Sequence, residues 1–189
     1  MRVLIACEYS GIVRDAFAKK GHDAWSCDIL DTESPGNHIQ DDILNHLDKN
    51  WDLMIAHPPC THLAVSGARW FTEGKKPWSL QEEALDFVRK LLNAPIDKIA
   101  LENPISVIST KIRKPNQIIQ PFQFGHGERK SICLWLNNLP KLKPTNVVKG
   151  REQRIWKMPP SKNRSKLRSL FYTGIAKAMA DQWGSNETI

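Results

Sequence analysis

The sequence has no apolar run long enough to cross a bilayer, and its N-terminus lacks the layout of a signal peptide. The apolar residues that follow Arg2 stop at Glu8. Only four cysteines occur in 189 residues, and no two of them form a CxxC pair. This spacing excludes a disulfide framework and a zinc knuckle, and it indicates the reduced thiols of a cytoplasmic protein.

Acidic residues are scarce in one part of the chain. Residues 111–169 hold fifteen lysines and arginines but only two acids, Glu128 and Glu152, which is a local net charge of +13. The whole chain carries +7, so the remaining residues carry −6. Charge segregated this strongly fits a polyanionic partner, most simply nucleic acid, although a solubilising charged face has the same composition.

Four short, largely apolar runs predict buried strands of a parallel sheet. These runs are Arg2–Cys7, Asp23–Cys27, Leu53–Ala56 and Lys98–Leu101. Helices are predicted over Ile12–Lys20, which Ser10 can cap, and over Ser79–Leu92, with Ser79 and Glu82 as a capping box. Residues 31–40 are predicted to be a polar loop. Strands that alternate with helices predict a Rossmann-like α/β fold, with a mostly parallel sheet and helices on both faces.

The second half of the chain has weaker patterns. An antiparallel hairpin is predicted from Ile118–Ile119, Phe122–Phe124 and Ser131–Leu136, and a final helix from Gly174–Trp183. Residues 137–169 read as an irregular basic segment. The predicted organisation is a ligand-binding core at 1–110, a basic hairpin and loop segment at 111–169, and a C-terminal helical segment at 170–189 that packs back on the core.

Ionisable side chains follow four of the predicted strands, at Glu8, Asp28, Cys60 and Glu102. In an open α/β sheet these strand ends share one rim, where ligands bind. Cys60 comes directly after two prolines, which stiffen the turn and hold the sulfur in one place. A lone cysteine is more often a core residue, but a thiolate beside a carboxylic acid suits conjugate addition to an electron-poor heterocycle.

The connection from residue 61 to residue 78 has no apolar periodicity. It interleaves three cations, Arg69, Lys75 and Lys76, with aromatic residues. Long loops inside compact domains are usually functional, and cations between aromatic rings fit phosphate contact combined with base stacking.

Taken in order, these motifs resemble the DNA cytosine-5 methyltransferases. The matching residues are Glu8-Tyr9-Ser10-Gly11, Asp28, Asp42-Ile43, Pro58-Pro59-Cys60, Ser66-Gly67 and Leu101-Glu102-Asn103. The Pro-Pro-Cys and Glu-Asn pair, in this order and spacing, is the specific part. The stretch from Phe124 to Lys130 is similar to the family's arginine-bearing strand entry, and Thr173-Gly174-Ile175-Ala176 to its last cofactor-side helix. The resemblance is closest over residues 1–104.

The resemblance implies S-adenosyl-L-methionine as methyl donor and a cytosine of DNA as acceptor. The base has to be flipped out, because neither face of a stacked ring is open to attack. Cys60 would add to C6 and Glu102 would protonate N3. Arg129 or Lys130 would support the cytosine O2 or its phosphate.

The resemblance also implies two sets of binding residues and no metal. The cofactor set is Glu8, Tyr9, Ser10, Gly11, Asp28, Asp42, Ile43, Pro58, Thr173 and Gly174, with Asp28 at the ribose and Asp42 at the adenine amine. The DNA set is Ser66, Arg69, Lys75, Lys76, Arg151, Arg154, Lys162 and Arg164. Compact chains of this type are similar to proteins of bacterial viruses, which would make the location the host cytoplasm.

The chain departs from the family in two ways. Val13 stands where a further glycine is usual, in the turn that faces the cofactor. Residues 105–145 leave room for a hairpin but not for the usual target-recognition domain, and no element evidently reaches into the major groove. We therefore expect sequence specificity to be short, relaxed or supplied by a partner.

Three other functions remain open at this point. The same chemistry could act on a free cytosine nucleotide or a single strand, although one phosphate does not need a local charge of +13. The chain could instead be a catalytically silent DNA-binding relative, which the presence of both Cys60 and Glu102 disfavours. A metal site of His57, Cys60 and His62 is disfavoured by its tight spacing and the lack of a fourth ligand.

Overall fold

The computed structural model describes residues 1–162 and 164–185. Its strands are β1 (Arg2–Ala6), β2 (Asp23–Asp28), β3 (His38–Gln40), β4 (Leu53–Ala56), β5 (Lys98–Asn103), β6 (Gln117–Ile119) and β7 (Ile132–Asn137). Its α-helices are α1 (Ile12–Ala18), α2 (Arg69–Thr72), α3 (Ser79–Leu92), α4 (Ile108–Lys111), α5 (Arg154–Lys157), α6 (Arg164–Ser169) and α7 (Thr173–Trp183). Residue 163 of the predicted basic segment and residues 186–189 of the predicted C-terminal segment lie outside the described residues.

The seven strands form one sheet in the order β3-β2-β1-β4-β5-β7-β6. The first five in this order are parallel, and β7 is antiparallel to both of its neighbours. The predicted α/β architecture with a mostly parallel sheet is therefore confirmed. The chain reverses its direction of winding between β1 and β4, and in such sheets ligands bind outside the carboxyl ends of the strands at this point.

Helices cover both faces of the sheet, because side chains of a strand alternate between its faces. Val3 and Ile5 of β1 pack in a cluster with residues of α1 and α7. Leu4 and Ala6 of the same strand pack on the opposite face, in a cluster with residues of α3. A strand buried on both faces reads as continuously apolar, which explains the pattern of β1.

The antiparallel pair predicted after residue 110 is present, with different bounds. β6 and β7 pair directly, and β7 joins the sheet that the earlier strands begin. The third predicted stretch, Phe122–Phe124, is not a strand, because Pro121–Gln123 form a 3-10 turn. The side chains of Gln120 and Gln123 close this turn as a capping box.

Two further predictions of local structure are wrong. Residues 38–40, predicted to be loop, form β3 at the sheet edge, where backbone pairing with β2 decides the conformation. Ser79 does not cap α3, since the N-cap residue is Trp78, which has helical angles and no side-chain cap bond. In residues 1–162 and 164–185 no helix is long and apolar enough to cross a membrane.

Candidate active site

The carboxyl ends of the parallel strands bring the predicted polar residues to one rim of the sheet. We call the group that follows β1, β2 and β3 the acidic edge; it consists of Glu8, Asp28 and Asp42. We call the group at the ends of β4 and β5 the thiol edge; it consists of His57, Cys60, Glu102 and Asn103. Antiparallel β7 begins at this rim, because Cys133 near its start pairs with Asn103 at the end of β5.

At the acidic edge, Glu8 caps the N-terminus of α1. Its buried carboxylate accepts hydrogen bonds from the backbone N–H groups of Val13 at 2.7 Å and Arg14 at 3.1 Å. The first N–H groups of a helix have no partner inside the helix, and a carboxylate satisfies them well. Gly11 is the N-cap residue, and its φ of 76° is one that glycine adopts without strain.

The Ser10 hydroxyl, predicted to cap α1, contributes less to the capping of this helix than Glu8 does. It accepts from the N–H of Ile12 at 3.4 Å and donates to Glu8 at 3.3 Å. Val13, which replaces a glycine of the resembling family, is completely buried in the core. Its side chain therefore packs below the turn and is not exposed at the rim.

Arg14 is a buried residue that the sequence analysis missed. Its guanidinium donates to the hydroxyls of Ser26 at 3.1 Å and Thr32 at 3.2 Å, and to the carbonyls of Ser34 at 3.0 Å and Pro35 at 3.1 Å. The side chain is 1% exposed, so these bonds replace water around a buried charge. Arg14 therefore fixes the loop that follows β2 beside the acidic edge. Its place on the buried face of α1 is the signal that could have identified it.

Tyr9 connects the acidic edge to two distant parts of the chain. Its carbonyl accepts from the N–H of Glu33 at 2.9 Å, and its hydroxyl lies 3.4 Å from the Ser169 hydroxyl at the end of α6. The basic segment therefore reaches the rim on the side of the first βα turn.

Asp28 lies beside two exposed apolar side chains. Its Oδ1 accepts from the N–H of Leu30 at 2.9 Å. The neighbouring Ile29 is 74% exposed and Leu30 is 52% exposed, although large apolar residues are usually covered. A carboxylate next to exposed apolar surface suits a ligand that has hydroxyl groups and a flat ring. The sequence analysis did not name Ile29 or Leu30.

Asp42 and Ile43 have different environments. Asp42 is exposed, and its Oδ1 accepts from the N–H of Leu44 at 3.0 Å, which caps a short 3-10 helix. Ile43 is 3% exposed and belongs to the core. Of these two predicted cofactor residues, only Asp42 therefore offers its side chain to a ligand at the rim.

At the thiol edge, Asn103 joins the two loops that carry Cys60 and Glu102. Its Nδ2 donates to the carbonyl of Pro58 at 2.9 Å, and the side chain is buried. The loops also pair through their backbones, since the N–H of Val65 donates to the carbonyl of Ile105. The prolyl turn is therefore held in a defined position relative to the end of β5.

The Glu102 side chain has a partner in His57. Its Oε2 lies 3.2 Å from Nδ1 of the His57 ring, and each side chain is 13% exposed. The ring packs against Phe171 with 4.8 Å between the ring centres. The sequence analysis considered His57 only as a metal ligand, because nothing in the sequence indicates its distance from Glu102.

Cys60 is the exposed cysteine of the chain, and opposing effects act on its thiol. Desolvation by the surrounding protein and the negative charge of Glu102 raise the pKa of Cys60, whereas the charges of Lys130 and Arg168 lower it. The net effect is a raised pKa. Cys27 and Cys133 are buried and Cys7 is half-buried. Burial raises the pKa of Cys27 and of Cys133 to about 11, and it also raises the pKa of Cys7. Cys60 is therefore the thiol best placed to react.

Lys130 and Arg129 reach the rim just before β7. Lys130 donates from Nζ to the carbonyl of Arg168 at 3.2 Å. Arg129 is exposed, and with Lys130 and Gln153 it lines a cavity of about 360 Å³. Of the two cations predicted from the strand entry, Lys130 is therefore the one whose charge acts on Cys60 at the thiol edge, and Arg129 lies beside it in the cavity lining.

A cluster around Glu128 attaches the C-terminal residues to the β6–β7 connection. Glu128 accepts from Nε of Arg154 at 2.8 Å and from the hydroxyl of Tyr172 at 2.9 Å. Burial alone would raise the pKa of Glu128, but these hydrogen bonds outweigh it and hold the pKa below its ordinary value. Gly174 donates from its N–H to Nε2 of His126 at 3.0 Å.

The two predicted cofactor residues of α7 differ in accessibility. Thr173 is exposed. A Cβ on Gly174 would lie 1.9 Å from the carbonyl oxygen of Phe124, so this position packs directly against the turn before β7. The need for close backbone packing accounts for this glycine without a ligand.

The predicted DNA-contacting loop is partly ordered by its own aromatic residues. The Arg69 guanidinium lies 4.5 Å from the centre of the Trp70 ring, and the Lys75 ammonium lies 4.8 Å from it. Lys75 also pairs with Glu73 at 2.8 Å. Cation–π contacts of this kind hold the charges on one surface.

The remainder of this loop adds an exposed ring to the same surface. Trp78 stacks on Phe71 with 5.2 Å between ring centres and is 56% exposed. Lys76 lies 5.8 Å from the Phe71 ring. Ser66 is exposed on the 3-10 turn that follows Cys60.

The four cations predicted in the basic segment have unequal freedom. Arg151 lies 3.5 Å from the centre of the Phe122 ring, and Arg154 is paired with Glu128. Lys162 is exposed, and Nε of Arg164 is buried without a hydrogen-bond partner in the described part of the chain. Arg154 therefore has a structural partner, whereas Lys162 is open to solvent.

Within 1–162 and 164–185 no three His, Cys, Asp or Glu side chains are grouped so that they could hold a metal ion, and this includes His57, Cys60 and His62.

Comparisons with known proteins show the fold. Neither a protein-family model nor a curated protein sequence matches the chain. Among the solved structures that match is an Escherichia coli prophage protein assigned as a DNA modification methyltransferase, with a TM-score of 0.50 and 14% sequence identity. The match covers 85% of this chain and 55% of that protein, so this chain spans about half of its length.

Proposed function

We propose that this protein is an S-adenosyl-L-methionine-dependent DNA methyltransferase with a Rossmann-like fold, and that it methylates C5 of cytosine. The residues would act as a nucleophile, an acid and a cation around one base. The fold shared with the prophage protein supports methyl transfer in general, and the motif order of the sequence supports the cytosine-5 type.

The observation that carries the proposal is the composition of the thiol edge. An exposed thiol, a carboxyl group and a lysine converge there from three separate parts of the chain. Asn103 and Pro58 hold the thiol turn and the carboxyl strand together through a 2.9 Å hydrogen bond. Conjugate addition needs this combination, because sulfur attacks one ring atom while an acid protonates another.

The acidic edge fits the methyl donor. Asp28 has a carboxylate oxygen available for ribose hydroxyls, and the exposed side chains of Ile29 and Leu30 offer apolar surface to an adenine ring. Asp42 would accept from the adenine amine, and Gly11 leaves the first βα turn open to the methionine portion. The bound cofactor supplies an electrophilic methyl group.

The mechanism that we propose begins at Cys60. Cys60 loses its thiol proton and its sulfur bonds to C6, while the electrons of the C5–C6 double bond move through C4 to N3. Glu102 gives a proton to N3, and Lys130 or Arg129 stabilises negative charge on the ring or its phosphate. C5 would then bond to the methyl group as the bond from that methyl to the donor sulfur breaks. Loss of the C5 proton to a base would expel the Cys60 sulfur as thiolate, and return of the N3 proton to Glu102 would restore the neutral aromatic ring.

The experiment is methyl transfer with a labelled methyl donor to three acceptors: duplex DNA, single-stranded DNA and dCMP. We expect label at C5 of cytosine in DNA, and DNA binding that weakens steeply with salt, because residues 111–169 carry a local charge of +13. Labelling of dCMP alone, or label on another atom, would contradict the proposal.

Covalent trapping tests the nucleophile. DNA that contains 5-fluorocytosine should form a stable adduct with the protein in the presence of cofactor, because fluorine at C5 blocks the final elimination. Cys60→Ala should abolish the adduct, and the control variant Cys27→Ala, changed at a buried core cysteine, should retain it. An adduct that persists in Cys60→Ala would exclude the mechanism.

A further inference from the structure

His57 occupies a fixed place between β1, β4 and β5. Its backbone N–H donates to the carbonyl of Ala6 at 2.9 Å, which extends the pairing of β1 with β4 by one residue. Its ring then reaches across to β5, where Nδ1 lies 3.2 Å from Oε2 of Glu102. The ring is therefore directed by the sheet itself and not by a mobile loop.

The two ring nitrogens of His57 have different surroundings. Nε2 is buried and has no hydrogen-bond partner in the described part of the chain. Phe171 packs against the ring, with 4.8 Å between the ring centres. With a proton on Nδ1, the ring donates to Oε2 of Glu102 at 3.2 Å.

One oxygen of Glu102 is thereby committed and the other is not. Oε2 accepts from His57, whereas Oε1 accepts no hydrogen bond within 1–162 and 164–185. Oε1 is then the oxygen that can carry a proton toward a substrate. When that proton leaves, the carboxyl group becomes a carboxylate, and the bond from Nδ1–H becomes charge-assisted and stronger.

We propose that His57 is a positioning residue for Glu102: it holds Oε2 so that Oε1 delivers the proton to the substrate ring, and it stabilises the carboxylate that remains. This inference rests on the proposed function for the identity of the ring that is protonated. The contact with Glu102 can be tested without that assumption. No bond of His57 itself is made or broken in the step.

The first test compares His57→Ala with His57→Asn in the full-length chain. The amide of asparagine can donate from a position close to that of Nδ1, whereas alanine cannot. His57→Ala should slow single-turnover methyl transfer to duplex DNA by about 10- to 100-fold, with KM for DNA little changed. His57→Asn should recover most of the rate. His22→Asn, a change on the α1 side of the protein, serves as the control.

The second test needs neither DNA nor cofactor. The charge of Glu102 raises the pKa of Cys60, so Glu102→Gln should speed alkylation of Cys60 by iodoacetamide at neutral pH. If His57 orients Glu102, His57→Ala should change the alkylation rate in the wild-type background and leave it unchanged in the Glu102→Gln background.

The outcomes separate the two proposals. If the wild-type protein methylates no cytosine, the proposed function is wrong. The alkylation rates of His57→Ala in the two backgrounds still decide whether His57 acts through Glu102. His57→Ala overturns the inference if it matches wild type in both measurements, or if it changes Cys60 alkylation equally in both backgrounds. A folded His57→Asn variant that is as slow as His57→Ala in methyl transfer also overturns it.

Discussion

The two edges of the rim satisfy their polar groups in different ways. At the acidic edge, Glu8, Asp28 and Asp42 each accept a hydrogen bond from a backbone N–H no more than six residues further along the chain. These bonds are local, so each acid stabilises the turn or helix that follows its own strand.

At the thiol edge the partners are distant in sequence. The bonds of His57 with Glu102 and of Asn103 with Pro58 each span 45 residues. Two buried atoms in these pairs, Nε2 of His57 and Oδ1 of Asn103, have no partner among the described residues. Each such atom costs about 1–3 kcal/mol, a cost that is common where a site is arranged for a ligand.

We therefore expect the two edges to respond differently to substitution. Changes at the acidic edge should be seen first in the free energy of unfolding. Changes at the thiol edge should be seen first in reactivity, because the groups there support one another and not the surrounding fold.

Glu102→Gln gives the largest effect. We expect methyl transfer to fall by about 10²- to 10⁴-fold, since the amide cannot protonate the ring, while the urea midpoint stays within experimental error of wild type. Rates should be measured in single turnovers, with cofactor binding followed by calorimetry. If Glu102→Gln lost as much free energy of unfolding as Glu8→Gln, the proposed difference between the two edges would be contradicted.

Glu8→Gln should have the opposite profile. Its amide can accept one of the two backbone N–H bonds but not both, so we expect a loss of about 2–3 kcal/mol in the free energy of unfolding. Urea denaturation followed by circular dichroism measures this loss. The matched control is Asp28→Asn, whose amide oxygen can still accept from the N–H of Leu30; its stability should be nearly unchanged.

Glu128→Gln tests the attachment of the C-terminal residues and its dependence on pH. Loss of the charge-assisted bonds to Arg154 and Tyr172 should cost about 1–2 kcal/mol at pH 7. The pKa of Glu128 is lowered on folding, so its contribution is complete above the unfolded value of about 4.3. The contribution is lost as pH falls through the lower folded value.

The free energies of unfolding of wild type and Glu128→Gln, plotted against pH, should therefore converge as the pH falls toward 3. Between pH 6 and pH 8 the difference between them should be constant. Tyr172→Phe removes one of the two hydrogen bonds to Glu128, so its free energy of unfolding should lie between those of wild type and Glu128→Gln. A difference in stability that grows as the pH falls would show that Glu128 is not held as a carboxylate.

Lys130→Gln should have the smallest effect of these variants on the reactivity of Cys60. The charge of Lys130 lowers the pKa of Cys60, so its removal should slow alkylation about two- to fivefold near neutral pH. Glu102→Gln should act in the opposite direction. Mass spectrometry of the alkylated peptide measures both, and a faster reaction in Lys130→Gln would contradict the electrostatic account.

The sequence was sufficient for the elements that depend on local pattern. Continuous apolar runs identify β1 and β4, and the two prolines before Cys60 identify the turn, because backbone restriction is a property of the residues themselves. The α/β class and the mostly parallel sheet follow from the alternation of strands with helices.

What the sequence could not show depends on distant partners. β3 has three residues and forms because β2 offers a backbone edge. Arg14 tolerates burial because it pairs with the adjacent Asp15 at 2.9 Å and because a loop some twenty residues away supplies further acceptors, which no local pattern shows. His57 meets Glu102 only through the registry of β4 with β5, which no local pattern encodes. The capping box at Ser79 is wrong because the preceding residue, Trp78, is already helical.

Two residues that pack over the rim, Ser169 and Phe171, lie near the C-terminal end of the sequence. Phe171 packs on His57, and the Tyr9 hydroxyl meets Ser169 across 160 residues. A ribosome adds roughly 5–20 residues per second, so a new chain holds its thiol for about ten seconds before these residues exist. During synthesis, Cys60 is therefore made several seconds before the residues that pack beside the site.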